Sequence, residues 1–332
     1  MENPYFIDWA ITNRCNLRCL HCRGMDKREI DGKTALSIAR QIPNLSPAWV
    51  IIEGGEPLLR GELFEILEII NKGEIETYLI TNGMLLNKEA VKRLSELSVK
   101  VMVSVDGVDK ESYEAVRRGA SFERLKEAIY LLEEYNILDA CNITIGRHNA
   151  WQIKKIFEFA KGFNINKIIF LGLKPCRDYG RYVLSGGEYK EVISSVIECQ
   201  RVYKIDIFFD EPFFKPFLKE KGIDYSPNAK NGIIVPEVSH CIFGDYIFIE
   251  TNGDIKPCTF SPMAVGNLEK GNLEKLWEDM KKSETIRKIK DFSQRTGRCK
   301  DCKYLYDCGG CRSRTFALTG NWLSEDPSCP LI

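Results

Sequence analysis

Six times in the first two hundred residues, an apolar run rich in β-branched side chains is followed by a stretch with helical spacing. Few folds accept that rhythm. The runs lie at residues 6–12, 49–53, 76–81, 99–105, 142–145 and 167–173, and the helical stretches at 34–41, 63–71, 88–97, 122–135, 150–161 and 188–203. Successive strand–helix units connect parallel strands through right-handed crossovers. The expected fold is therefore α/β, a partial (β/α)6 TIM-like barrel. In such barrels the chemistry gathers at the C-terminal ends of the strands. With 332 residues, 44% of them hydrophobic, the chain has enough core for this barrel and a smaller unit.

Beyond residue 205 the rhythm breaks. Residues 208–216 are aromatic and interrupted by proline, and 223–236 read as loop. Asn252-Gly253 separates two strand-like runs, 246–250 and 255–258, as a hairpin turn does. Residues 273–282 have the spacing of a short amphipathic helix, and a cysteine-rich tail follows. The chain thus divides into a barrel over 1–204, a linking region over 205–240 and a cysteine-rich domain over 241–332.

The 47 basic and 47 acidic side chains cancel, which argues against a nucleic-acid groove. No apolar run approaches the roughly 18 residues that span a bilayer, and Met1-Glu2-Asn3-Pro4 lacks the order of a signal peptide. The reading is a cytoplasmic protein with neither nucleic-acid nor membrane partner. In that setting thirteen cysteines serve as ligands or redox groups rather than disulfides. Three stand near the N-terminus, seven lie from residue 241 onward, and Cys141, Cys176 and Cys199 are scattered between.

The first three form Cys15-x3-Cys19-x2-Cys22, directly after the first predicted strand. Zinc takes four ligands and favours paired C-x2-C knuckles, and His21 is not spaced as a partner. Three thiolates suit an Fe4S4 cube better, and they leave one iron open to bind and reduce a small molecule. At the end of the second predicted strand stands Gly54-Gly55-Glu56-Pro57. Paired glycines expose backbone polar groups and let a ligand lie against the chain.

The triplet after the first strand and Gly-Gly-Glu-Pro after the second resemble the radical S-adenosylmethionine (SAM) superfamily. The resemblance implies that SAM chelates the open iron of a [4Fe–4S] cluster at Cys15, Cys19 and Cys22. Reductive cleavage then gives a 5′-deoxyadenosyl radical that abstracts a substrate hydrogen. It further implies that Gly54, Gly55 and Glu56 contact the methionyl amine, and that Thr81 and Asn82 approach the ligand. Ser104 and Asp106 match the family's Ser-x-Asp-Gly, which contacts the SAM carboxylate and ribose. Arg117, with Arg118 as its rival, is the ion-pair partner for that carboxylate.

Cys241, Cys258, then Cys299-x2-Cys302-x5-Cys308-x2-Cys311 and Cys329 resemble the SPASM extension of that superfamily. The resemblance implies a first auxiliary Fe–S cluster on Cys241, Cys258 and Cys311, and a second on Cys299, Cys302, Cys308 and Cys329. Two departures stand out. The gap before Cys311 is two residues rather than the commoner three, and no cysteine falls between Cys199 and Cys241. The first cluster thus has an open iron, has a non-cysteine ligand such as His240, or is absent. Zinc is the alternative reading of the knuckles.

Cys176, expected just past the sixth strand, is the candidate to return a hydrogen atom to a substrate radical or to bind substrate. Free cysteine also serves as a small core hydrophobe, the reading given to Cys141 and Cys199. The expected partners are a low-potential electron donor of ferredoxin or flavodoxin type and a cofactor precursor or peptide substrate. The tail from Cys308 to Pro327 resembles haem-maturation members most. The absence of a winged-helix segment before residue 5 leans toward maturation of a haem, tetrapyrrole or molybdenum/tungsten-pterin cofactor. The alternatives are ribosomal-peptide or protein modification and, from another class, a non-catalytic Fe–S carrier or zinc module.

Overall fold

The computed structural model of the chain describes residues 2–24, 28–175 and 177–331. Six strands, β1 (Ile7–Ala10), β2 (Trp49–Glu53), β3 (Glu76–Thr81), β4 (Lys100–Ser104), β5 (Leu138–Ile145) and β6 (Lys167–Gly172), run parallel and pair in chain order. Helices α1 (Gly32–Gln41), α2 (Leu63–Asn71), α3 (Lys88–Glu96), α4 (Lys110–Val116), α5 (Phe122–Glu134), α6 (Ile153–Gly162) and α7 (Gly186–Tyr203) pack outside the curved sheet. Many are started by a side chain that accepts a free backbone N–H: Asp31 for α1, Asn87 for α3 and Ser121 for α5. The barrel repeats are those the hydrophobic rhythm predicts. Helix α4 is additional; its seven residues are too few for a periodic signal, and an Asp109/Ser112 capping box starts it.

The sheet continues past both ends of the expected barrel. Strand β7 (Asp206–Asp210) pairs in parallel with β6, and the short β8 (Ile233–Ile234) pairs with β7. Ile207 and Phe209 are buried and their neighbours are not, a period-two pattern masked in the sequence by the adjacent aromatic stretch. Pro216 interrupts nothing, because it sits in the first turn of α8 (Phe214–Lys221), where its missing N–H is no loss.

On the other side, β9 (Ile247–Ile249) lies parallel to β1 and forms the predicted hairpin with β10 (Asp254–Lys256), followed by β11 (Gly266–Asn267). The start of the cysteine-rich region is therefore hydrogen-bonded into the barrel sheet. β1 consequently lies inside the sheet, and all four of its residues are buried. Helices α9 (Leu273–Lys282), α10 (Glu284–Lys290), α11 (Leu305–Cys308) and α12 (Arg312–Thr319) complete the C-terminal region. Among the described residues no helix is long and apolar enough to cross a membrane.

Candidate active site

Cys15, Cys19 and Cys22 lie on the loop leaving β1, held by contacts from four directions. The Glu29 carboxylate accepts from Thr12 Oγ1 at 2.7 Å and the Asn13 N–H at 2.8 Å, and it pairs with buried Arg60 at 2.8 Å. Arg18 and Cys19 form a two-residue antiparallel bridge with Arg117 and Arg118 just after α4. Leu17 N–H points at Cys15 Sγ (3.4 Å), and Arg117 Nη1 lies 3.8 Å from Cys19 Sγ. Across the loop, the Gly55 N–H donates to the Thr12 carbonyl at 2.7 Å and the Glu56 N–H to the Arg14 carbonyl at 2.8 Å. A methyl group on Gly55 would stand 2.3 Å from the Arg14 oxygen. The paired glycines thus let the end of β2 lie against the backbone that carries Cys15. Burial pushes the Cys19 thiol up to about 11, so it is protonated until a metal displaces the proton.

An open cavity of about 240 Å³ lies beside this loop, at the C-terminal ends of the strands. Cys22, Gly54, Gly55, Ser104 and Arg117 line it. Glu56, Thr81, Asn82 and Asp106 are outside its lining. Glu56 is fully buried and accepts from Thr81 Oγ1 (2.8 Å), Asn82 N–H (2.9 Å) and Leu58 N–H (3.3 Å), which clamps the ends of β2 and β3 together. Asp106 takes the Arg117 guanidinium at 2.7 Å, the Thr144 N–H at 2.7 Å and His21 Nε2 at 3.3 Å. Of the two rival arginines, Arg117 is buried and faces the cavity, whereas Arg118 is exposed. Cys176 lies outside the described residues. Cys141 is a buried residue of β5, and Cys199 is half-buried in α7.

The C-terminal cysteines fall into two groups. Cys299, Cys302, Cys308 and Cys329 border one small cavity. Cys241, Cys258 and Cys311 form a second group close enough to influence one another's charge, and Ser313 Oγ lies 3.2 Å from Cys258 Sγ. His240 stacks edge-on against Phe292. Burial raises Cys311 to about 11 and Cys329 to about 12. Among the described residues no three His, Cys, Asp or Glu groups converge tightly enough for a single metal ion. Cys299, Cys302, Cys308 and Cys329 instead surround space, and Cys308 and Cys258 receive N–H and O–H donors, as sulfur ligands of a multi-iron cluster do. The donor sets fit clusters.

A model of the radical SAM superfamily matches residues 9–160, and a model of an iron–sulfur cluster-binding domain, SPASM, matches residues 241–303. The chain belongs to the radical SAM superfamily, with a SPASM domain. It is an enzyme whose cofactors are SAM, a [4Fe–4S] cluster and one or two auxiliary iron–sulfur clusters. It is 28% identical to the AdoMet-dependent heme synthase of Methanosarcina barkeri over 98% of this chain and 96% of that protein. It is also 27% identical to the mycofactocin maturase MftC of Mycolicibacterium smegmatis, over 99% of this chain and 83% of that one. Among solved structures, anSMEcpe with bound AdoMet and a peptide superposes with TM-score 0.74 at 20% identity, covering 98% of this chain and 93% of that one. SuiB of Streptococcus suis bound to S-adenosylmethionine superposes with TM-score 0.78 at 18% identity, covering 100% of this chain and 78% of that one. At these identities the structural likeness speaks for the fold.

The large cavity has charged walls that sequence spacing gives no means of finding. Arg23, one residue past the triplet, pairs with Glu53 at the end of β2 and lies 3.6 Å from Glu250, its guanidinium over the Phe248 ring. Behind them Asp8 accepts from Thr259 Oγ1 at 2.7 Å, and burial together with Glu53 pushes its carboxyl well above the usual range. On the far wall, Lys174 Nζ donates to Glu211 Oε1 at 2.7 Å. Glu211 also takes Arg314 at 2.6 Å, and Arg314 takes Asp326 at 2.6 Å. This ion chain runs from the large cavity, which Lys174 lines, to the small one, which Asp326 lines. Its members come from four separate parts of the sequence, so only folding reveals it.

Proposed function

We propose that this radical SAM/SPASM enzyme matures a tetrapyrrole cofactor by oxidising an unactivated C–H bond of a haem precursor. Full-length similarity to heme synthases, over 98% of this chain and 96% of the relative, carries the reading. In this reading Cys15, Cys19 and Cys22 hold the SAM-cleaving cluster, and the two C-terminal cysteine groups hold the auxiliary ones. When bound, the first cluster with SAM supplies the 5′-deoxyadenosyl radical that takes the hydrogen atom.

The protein's own part is placement. Gly54 and Gly55 leave room beside the cysteine loop, and Arg117, oriented by Asp106, offers a guanidinium to a carboxylate within the cavity. Ser104 contributes a hydroxyl, and the rigid clamp of Glu56 on Thr81 and Asn82 keeps the rim in shape. Lys174 and Arg23 line the same cavity as ion pairs, with Glu211 and with Glu53 and Glu250. The partner supplying electrons is a ferredoxin- or flavodoxin-type carrier.

Peptide modification is the second reading, favoured by the 27% identity to a mycofactocin maturase over 99% of the chain. One assay separates the two. Reconstituted enzyme with dithionite and SAM under anaerobic conditions should form 5′-deoxyadenosine. A carboxylated iron tetrapyrrole should stimulate that formation and lose carbon dioxide. Stimulation by peptides alone would replace the tetrapyrrole reading, and no 5′-deoxyadenosine with any substrate would refute both.

A further inference from the structure

Two buried arginines in the SPASM region have no ion-pair partner among the described residues. Arg295 is 2% exposed and Arg312, at the start of α12, is 1% exposed. Their hydrogen bonds all go to neutral carbonyls. Arg295 Nε donates to Gly309 O (3.0 Å) and Nη1 to Asp291 O (3.3 Å). Arg312 Nε donates to Gly310 O (3.0 Å), and its Nη1 donates to Trp322 O (2.7 Å) and Ser324 O (2.9 Å). Among the described residues neither has a salt-bridge partner, and the Nη2 of each has no hydrogen-bond partner. Arg314, only two residues on, is paired on both sides by Glu211 and Asp326.

An uncompensated buried cation costs several kcal/mol. Arg295 and Arg312 also repel each other, and burial with that repulsion lowers Arg295 to about 10. The Phe292 ring, 5.1 Å from the Arg295 guanidinium, offsets only a fraction of this. Something anionic is missing from the balance. The groups whose charge reaches both arginines are cysteines: Cys241 and Cys299 act on Arg295, and Arg312 acts on the same two. One belongs to each C-terminal cysteine group.

We propose that Arg295 and Arg312 are the built-in counter-charges of the auxiliary clusters, holding their reduction potentials up. This rests on the reading that the two cysteine groups bind clusters. A cube ligated by thiolates is a net anion and becomes more negative on reduction, so a fixed cation beside it favours the reduced form. Low local dielectric strengthens this coupling; the Asp291 carboxylate also acts on Arg295, but it forms no ion pair with it among the described residues.

The test is an anaerobic redox titration followed by electron paramagnetic resonance. It uses the full-length reconstituted enzyme and a Cys15→Ala/Cys19→Ala/Cys22→Ala version, in which only auxiliary signals remain. Arg295→Met and Arg312→Met should move the auxiliary midpoint to lower potential at unchanged iron content, and Arg312→Lys should restore it. Potentials that stay put in both methionine variants overturn the proposal. If a methionine variant fails to load its cluster, rescue of loading by lysine supports the counter-charge role. Loss in the lysine variant as well overturns it in favour of a purely shape-based one. A parent with no auxiliary iron at all would instead refute the cluster reading itself, so the two failures are distinguishable.

Discussion

Replacing Arg314 by methionine keeps most of the side-chain volume while deleting the charge that joins barrel to SPASM region. Arg314 is completely buried, bonding Glu211 at 2.6 Å and Asp326 at 2.6 and 3.0 Å. Breaking a buried pair from one side costs about 3–5 kcal/mol. The lower end applies here, because neither carboxylate is stranded completely. Glu211 keeps Lys174 (2.7 Å) and Tyr189 (3.2 Å), and Asp326 keeps the N–H groups of Cys311 (2.9 Å) and Ser328 (3.0 Å). About 3 kcal/mol is a sizeable part of the roughly 5–15 kcal/mol that stabilises a folded chain. At about 2 °C per kcal/mol for a chain of this size, the midpoint should fall by roughly 6 °C. Scanning calorimetry of wild type and variant at matched iron content measures it. Asp326→Asn and the double variant complete a cycle, whose coupling should be 0.5 kcal/mol or more. A midpoint within 1 °C of wild type, or strict additivity, would refute the idea that this ion chain holds the two regions together.

Gly55→Ala should disturb the cysteine loop, since the added methyl would stand 2.3 Å from the Arg14 carbonyl. The cost is about 1–3 kcal/mol, read as reduced iron at the first site and weaker SAM binding in equilibrium dialysis. Asp106→Asn releases Arg117 from its 2.7 Å ion pair and should weaken SAM binding about tenfold, the scale of one charge-assisted hydrogen bond; unchanged binding would remove Arg117 from the carboxylate site. Cluster-free protein should lose stability as pH rises from about 9 toward 11. The Cys19 thiol is held at about 11 against an ordinary 9.0, so the folded chain binds more protons than the unfolded one across that window. Denaturation of apo protein across this range checks the sign, and the cluster-loaded form, whose thiols are already deprotonated, should lack the slope.

Local order was written in the sequence because it depends on neighbours. Hydrophobic period placed the six strands, and the cysteine spacings named the family. Asn252-Gly253 marked the hairpin because an Asn-Gly pair accepts the backbone angles of a tight turn. Helix α4 and strand β7 escaped, one through shortness and one because an aromatic stretch hid its alternation. What the folded chain alone decided were meetings between residues far apart. Glu56 came to brace Thr81 and Asn82, and Asp106 to brace Arg117. Lys174, Glu211, Arg314 and Asp326 joined into one buried ion chain, while among the described residues Arg295 and Arg312 have no ion-pair partner. The physical reason is that burial and charge pairing depend on distances through space, which spacing along a chain does not encode.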